Sequence, residues 1–195
     1  CRIAIIGEAP GYHEARTGRP FVGPAGEELA LFLSLAGLRR QDVYITNIVA
    51  CRPPSNRVPV AIERAACRPR LDAELAAAGA KILLLLGATA LADFLPNVAL
   101  GLYHGVAFRR EGQILVPMYH PAAGLHQEHL RGLAADDWLH LIERVTSVQD
   151  KVETHYDICE VATWSANDIA VDTESNMVDG RLVAISVSGC PGQAH

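Results

Sequence analysis

Between Gly7 and Gly23 the chain gathers Glu8, His13, Glu14, Arg19 and Phe21: two carboxylates, an imidazole, a cation and an aromatic face. Glycines at 7, 11, 18 and 23 and prolines at 10 and 20 fix the backbone that carries them. Side chains of these types on one loop can line a pocket for a flat, polar ligand. The same composition also suits a plain strand-to-helix connection with a solvated, charged tip. Two further polar side chains stand near the ends of apolar runs: Asn47 late in the β-branched stretch 43–49, and His120 just after the run 113–118.

The elements that must position these groups are legible in the periodicity. Residues 3–6 form an apolar run that stops at Gly7, a buried strand ending in a turn, and open α/β folds place ligands in the loop after such a strand. Leu29, Phe32, Leu33 and Ala36 fall at i, i+3, i+4 and i+7, one apolar stripe of a helix that Gly37 can end. Residues 43–49 predict a second strand, stopped by Cys51-Arg52-Pro53-Pro54. A helix over 60–78 must be started, kinked or interrupted by Pro69 and closes at Gly79. Residues 81–87 are apolar on both faces, as a central parallel strand must be, and a short helix over 88–95 follows. The runs 106–110 and 113–118 flank Glu111-Gly112 as a hairpin, and 133–145, with Trp138, Leu141, Ile142 and Val145 on one face, predicts a closing helix. Together these predict an α/β fold: a three-layer α/β/α domain over 1–148 with a short, mostly parallel central sheet.

Half of the 195 residues are hydrophobic, enough for a real core, yet no apolar run approaches the ~20 residues that span a bilayer, and no secretory pattern opens the chain. A cytoplasmic setting is expected. Five cysteines, at 1, 51, 67, 159 and 190, argue against a disulfide framework and leave metal or cluster ligation open. Residues 1–148 hold 15 Lys and Arg against 14 Asp and Glu, whereas 149–195 hold 2 against 8, so the acidity belongs to the second part. Within 51–70, Arg52, Arg57, Arg64, Arg68 and Arg70 face Glu63 alone, a basic patch suited to phosphates or, equally, a solvated helix face. Cys1 already enters a strand and the last residues run on without a closing element, so the chain reads as an excerpt.

Five blocks occur in one order: Gly-Glu-Ala-Pro-Gly at 7–11, Gly-Arg-Pro-Phe-Val-Gly at 18–23, Tyr-Ile-Thr-Asn at 44–47, Cys-Arg-Pro-Pro-Ser-Asn-Arg at 51–57 and His-Pro-Ala at 120–122. Residues 1–148 thereby resemble the family-4, iron–sulfur type of uracil-DNA glycosylase. The resemblance implies base excision repair: hydrolysis of the N-glycosidic bond of a uracil flipped out of DNA, by a monomeric domain within a larger polypeptide. It gives Phe21 the stacking face, lets Asn47 accept from uracil N3–H and donate to O4, and has His120 donate to O2 as charge develops there. Glu8 and Glu14 match loop carboxylates, either of which can position the water or stabilise the oxocarbenium-like sugar. Backbone amides near Ala9 and Gly11 can contact the base or a flanking phosphate, and Arg52 and Arg57 the DNA backbone. Cys51 and Cys67 match two of the four ligands of a 4Fe-4S cluster, the other two being expected upstream of Cys1. Two departures stand out: Ala123-Gly124-Leu125-His126 leaves only Leu125 as a wedge into the duplex, and Tyr12, His13 and Ala15 occupy positions commonly acidic in the family.

Residues 149–166 read as a connecting segment. Beyond it, 168–174 and 182–187 read as two strands joined by a turn at Asp179-Gly180. With Asp172-Thr173-Glu174 at a strand end and Pro191-Gly192-Gln193-Ala194 beyond, residues 167–195 resemble the opening of the 3′–5′ exonuclease domain of family A DNA polymerases, a truncated second α/β domain. That resemblance implies Mg2+ or Mn2+ at Asp172 and Glu174 in the full-length protein, and a phage-type polymerase fusion in a prokaryotic or phage-infected cell. The alternative reading is a catalytically weak or inactive uracil-sensing, template-binding module of a polymerase. A Rossmann-like nucleotide-binding enzyme is disfavoured by the absence of Gly-x-Gly-x-x-Gly and Gly-Lys-Ser/Thr.

Overall fold

Strands β1 (Ile3–Gly7), β2 (Val43–Asn47), β3 (Ile82–Leu86) and β5 (Gln113–Met118) run parallel, and β4 (Phe108–Arg110) pairs antiparallel with β5. The order across the sheet is β2-β1-β3-β5-β4. These features come from a computed structural model, which describes residues 2–149, 170–175 and 182–188. The chain divides into two compact units, Cys1–Lys151 and Val152–His195.

The all-apolar strands are needed because both sheet faces are covered. On one face Ile5, Leu84, Leu86, Ile114, Val116 and Met118 share a core with Leu29, Phe32 and Leu33 of α2 (Pro24–Leu35), Trp138 of α7 (Glu128–Leu139) and Leu141 and Val145 of α8 (Leu141–Gln149). The alternate residues Ala4, Ile6, Leu83, Leu85 and Leu115 are equally buried. They face the layer of α3 (Ala61–Ala78) and α4 (Gly87–Phe94), whose Leu71, Leu75, Ala90 and Leu91 are buried with them. The result is the expected three-layer α/β/α arrangement with a mostly parallel sheet.

Three local departures from the sequence reading have physical causes. The stretch 133–145 is two helices, because the chain breaks at His140; Ile142 is therefore 48% exposed while Trp138, Leu141 and Val145 are buried. Pro69 sits inside α3 without ending it: the carbonyl that loses its partner belongs to Ala65, which is exposed and can turn to water. The loop between Gly7 and Gly23 contains a short helix, α1 (Tyr12–Thr17), closed by Gly18 in the left-handed region at φ 69°.

In the second unit β6 (Ala170–Ser175) and β7 (Leu182–Ser188) pair antiparallel, with Asp172 opposite Ser186 and Glu174 opposite Ala184. The connecting segment 150–166, the turn at Asp179-Gly180, the stretch 191–194 and Cys1, Cys159 and Cys190 lie outside the described residues. No helix among the described residues is long and apolar enough to cross a membrane.

Candidate active site

The four parallel strands deliver their carboxyl ends to one crevice. Gly7 closes β1 opposite Asn47, which closes β2; Gly87 follows β3 directly; Tyr119 and His120 follow β5. The chain leaves β1 toward β2 on one side and β3 toward β5 on the other, so this is the switch point at which such sheets bind ligands.

Gly7 is the floor. A Cβ there would lie 2.4 Å from Asn47 Oδ1 and 2.8 Å from Phe21 Cζ, so only glycine lets the amide and the ring close over the strand end. Asn47 is 7% exposed, and its side-chain amide has no hydrogen-bond partner among the described residues. Asn47 lines an open cleft, so its amide stands free to hydrogen-bond a ligand that enters there. Its backbone is held rigidly: past the strand end, Ile48 N–H still bonds Gly7 O at 2.9 Å and Val49 N–H bonds Glu8 O. From α3, Arg70 donates to Asn47 O at 2.7 Å and Ile48 O at 3.0 Å, and it is braced by Glu74 Oε2 at 2.7 Å. Burial pushes the Glu74 carboxyl upward, but hydrogen bonds from Arg70 and Thr46 outweigh it and hold the group below the usual carboxylate range.

Phe21 stacks with His120 at a centroid distance of 5.5 Å and 29° between planes. It adopts φ 53°, a left-handed conformation that costs a non-glycine residue about 1–2 kcal/mol and persists only when the surroundings impose it. Three groups impose it. Glu14 Oε1 accepts from the N–H groups of Val22 and Gly23, both at 2.9 Å; Arg40 donates to the carbonyls of Pro20 and Phe21; and Gly26 leaves room for Phe21 O, which a Cβ would meet at 2.1 Å. Partial burial raises the Glu14 carboxyl, yet the N–H groups of Gly23, Glu14 itself, Val22 and Gly11 hold it lower than an ordinary glutamate.

His120 caps α6 (Pro121–His126): its Nδ1 accepts from Ala122 N–H at 3.1 Å, so in the neutral ring the proton sits on Nε2. Burial lowers its pKa to about 4, which keeps the imidazole neutral at physiological pH with an Nε2–H donor to offer. Gly87 permits this placement, since it has φ 87° and a Cβ would come within 3.3 Å of His120 Cβ. Glu8 is oriented from α4 by Thr89, whose hydroxyl donates to Oε2 at 2.5 Å, leaving Oε1 without a protein partner among the described residues.

The remaining candidates separate. Ala9 is half-buried after β1, and Gly11 begins α1 with its N–H turned toward Glu14. Leu125 lies on α6, 47% exposed. The basic run 51–70 is largely neutralised, a correction to the local charge count. Arg57 pairs with Glu63, Arg64 with Asp93, Arg68 with Asp72 and Arg70 with Glu74, and three of these acids lie beyond the window. Of that run only Arg52 has no carboxylate partner among the described residues. The sequence does not reveal Arg40 and Thr89 as site residues, and shows Arg70 only as one charge of the basic run, because each acts on a segment 19 to 81 residues away.

Cys51 is exposed and Cys67 half-buried on α3, both as free thiols. No group of three or more His, Cys, Asp or Glu among the described residues is arranged to hold a metal ion. Two thiolates alone do not make a four-iron site, and no chemistry at the crevice runs through one.

Fold and crevice together define a three-layer α/β/α domain that presents an unpartnered amide, an aromatic ring and a neutral imidazole donor to a flat, polar ligand. The chain belongs to the uracil DNA glycosylase superfamily, whose profile matches residues 1–140. A type-4 uracil-DNA glycosylase of Thermotoga maritima is 40% identical over 141 residues, covering 70% of this chain and 73% of the relative. One of Pyrobaculum aerophilum is 43% identical over 141 residues, 67% of this chain and 71% of the relative. A DNA polymerase of Bacillus phage SP01 is 31% identical over 127 residues, which are 65% of this chain and 14% of the polymerase.

Proposed function

We propose that the domain is a uracil-DNA glycosylase that hydrolyses the C1′–N1 bond of a uracil flipped out of DNA, opening base excision repair. The observation that carries this is Asn47: a largely buried residue whose amide keeps its donor and acceptor free toward the cleft, fixed beside Phe21. Uracil presents N3–H and O4 side by side and satisfies both ends of that amide, whereas cytosine mismatches both. Phe21 stacks on the base, and the neutral His120 donates from Nε2 to O2.

In the reaction, the C1′–N1 bond breaks with its electron pair passing to the base, where charge spreads to O2. A water oxygen bonds C1′ and releases its proton to a carboxylate. Glu8 suits that last role better than Glu14: its Oε1 is open to accept, whereas Glu14 is spent on the loop amides. The hydrogen bond from His120 strengthens as O2 gains charge, a contribution of about 3 kcal/mol for a preorganised donor.

The test is a single-turnover assay on uracil-containing single- and double-stranded oligonucleotides, with alkaline cleavage of abasic sites. Wild-type protein forms abasic product; Asn47→Ala loses about 1–3 kcal/mol of discrimination, and Asn47→Asp relaxes the bias against cytosine. A second reading, a uracil-sensing module without turnover, is favoured by Leu125 standing alone where a larger wedge would open the duplex. Tight uracil-DNA binding without abasic product selects it.

Cys51 and Cys67 serve in this proposal as two ligands of a structural 4Fe-4S cluster, with two thiolates from outside the described residues. Iron and sulfide analysis of anaerobically purified full-length protein tests this, and an iron-free, colourless product rejects it. Residues 167–195 are assigned to a 3′–5′ exonuclease-like domain in which Asp172 and Glu174 hold Mg2+ or Mn2+. The support is their spacing on β6 and the similarity of the chain to a phage polymerase. Loss of exonuclease activity in Asp172→Ala of the full-length protein is the expected result. The setting is the cytoplasm of a prokaryotic or phage-infected cell, with the glycosylase domain acting as a monomer.

A further inference from the structure

A cleft of about 550 Å³ opens beside Asn47 at β2, the edge strand of the sheet, and Pro10, Glu14, Arg19, Tyr44, Cys51 and Arg52 are among its lining residues. Its carboxylates, Glu14 and Glu74, are committed to the loop amides and to Arg70. Its cations are not all committed. Most arginines in the surrounding segments are paired with acids, but Arg16, Arg19 and Arg52 are exposed and have no carboxylate partner among the described residues. They gather at one place. Arg19 and Arg52 line the cleft, and the guanidiniums of Arg16 and Arg52 lie 5.4 and 5.5 Å from the centre of the Tyr12 ring. That ring is 51% exposed on α1, with His13 edge-on at 5.5 Å. Arg16 is oriented by the Tyr12 hydroxyl at 2.7 Å and Arg52 by Asn56 at 2.6 Å, which leaves their remaining N–H groups for another acceptor. The uncompensated charge is felt inward: Arg40 is lowered by burial and then by Arg19.

A half-exposed ring with unpaired guanidiniums stacked over it, joined through Arg52 to the cleft that reaches Asn47, fits an unpaired nucleotide. The ring and guanidinium planes stack a free base, and the cations meet its phosphates. A base still paired in a duplex cannot offer its face to this stack of ring and guanidiniums. We propose that Tyr12, Arg16, Arg19 and Arg52 form a track for the single-stranded DNA flanking the uracil, making single strands the preferred substrate. The proposal deepens the glycosylase reading and rests on it for the identity of the flipped base, but not for the strand-binding itself.

The experiment measures binding of the full chain to a fluorescein-labelled, uracil-free 15-nucleotide oligothymidine and to a duplex of the same length, by anisotropy at several salt concentrations. Wild-type protein binds the single strand more tightly. Tyr12→Ala weakens single-strand binding about tenfold and duplex binding less than twofold, while Tyr12→Phe, which keeps the ring, restores it. Arg16→Gln lowers the slope of log affinity against log salt on the single strand by about 0.7, the value of one phosphate contact. Equal losses on both DNAs, no loss with Tyr12→Ala, or a wild type that prefers the duplex would overturn the track. Because the probe contains no uracil, absence of excision rejects the glycosylase reading without touching this result, and the converse holds.

Discussion

From the middle of α3, Arg70 donates to the carbonyl of Asn47 at 2.7 Å and so fixes, across the sheet edge, the residue whose amide faces the crevice. Replacing Arg70 by Met strands the carbonyls of Asn47 and Ile48 and the Glu74 carboxylate, a cost of about 1–3 kcal/mol in stability. A purely structural role ends there. A positioning role adds a fall in the ratio of uracil to cytosine excision, which Arg70→Lys, able to reach one carbonyl but not to fork to two, restores only in part. Denaturant midpoints and single-turnover rates on both bases separate the two.

The two loop carboxylates diverge in their environments, and their variants diverge accordingly. Glu8→Gln lowers the single-turnover rate about 100-fold or more while binding of uracil-DNA is unchanged, because the lost group acts on water. Glu14→Gln weakens the grip on the Val22 and Gly23 amides, so Phe21 relaxes out of its left-handed conformation, and stability and affinity fall together. Stopped-flow binding, rates and thermal melts distinguish them.

His120 carries a pH signature. Its folded pKa of about 4 lies below the ordinary histidine value of 6.5, so between those limits the unfolded ring takes a proton that the folded ring refuses. Its contribution to stability is complete above pH 6.5 and is lost progressively as pH falls toward 4. Urea midpoints at pH 7, 5.5 and 4.5 therefore fall more steeply for wild type than for His120→Gln. The same substitution lowers the excision rate about 100-fold at pH 7 with little change in binding.

Arg57 and Arg52 are neighbours in sequence with opposite expected behaviour. Arg57 makes paired hydrogen bonds to Glu63 at 2.7 and 2.8 Å, and Glu63 is held at about pKa 2 by Arg57 and by the Val60 N–H. Arg57→Gln leaves the salt dependence of DNA binding unchanged and barely alters stability, because an ion pair in solvent contributes little. Arg52→Gln lowers the salt slope by about one contact. Anisotropy titrations over 50 to 200 mM salt make the comparison.

The amino-acid sequence by itself determined the strands, because a parallel strand buried on both faces must be apolar throughout and 3–6 and 82–86 are so. It also placed Asn47 near the end of a strand over 43–49 and His120 just past the run 113–118; the structure ends β2 at Asn47 itself and β5 at Met118. Helix boundaries were less legible: the break at His140 and the passage through Pro69 depend on what each turn packs against and on which carbonyls reach water. What only the tertiary structure decided is how the charged side chains are spent. Glu8 and Glu14 are equivalent in a string of letters, yet one meets a hydroxyl from α4 and the other the amides of its own loop. The arginines of 51–70 look like a patch until acids as distant as Asp93 come beside them. Ion pairs and backbone clamps join residues tens of positions apart and follow no period along the chain, so their partners exist only once the sheet has brought them together.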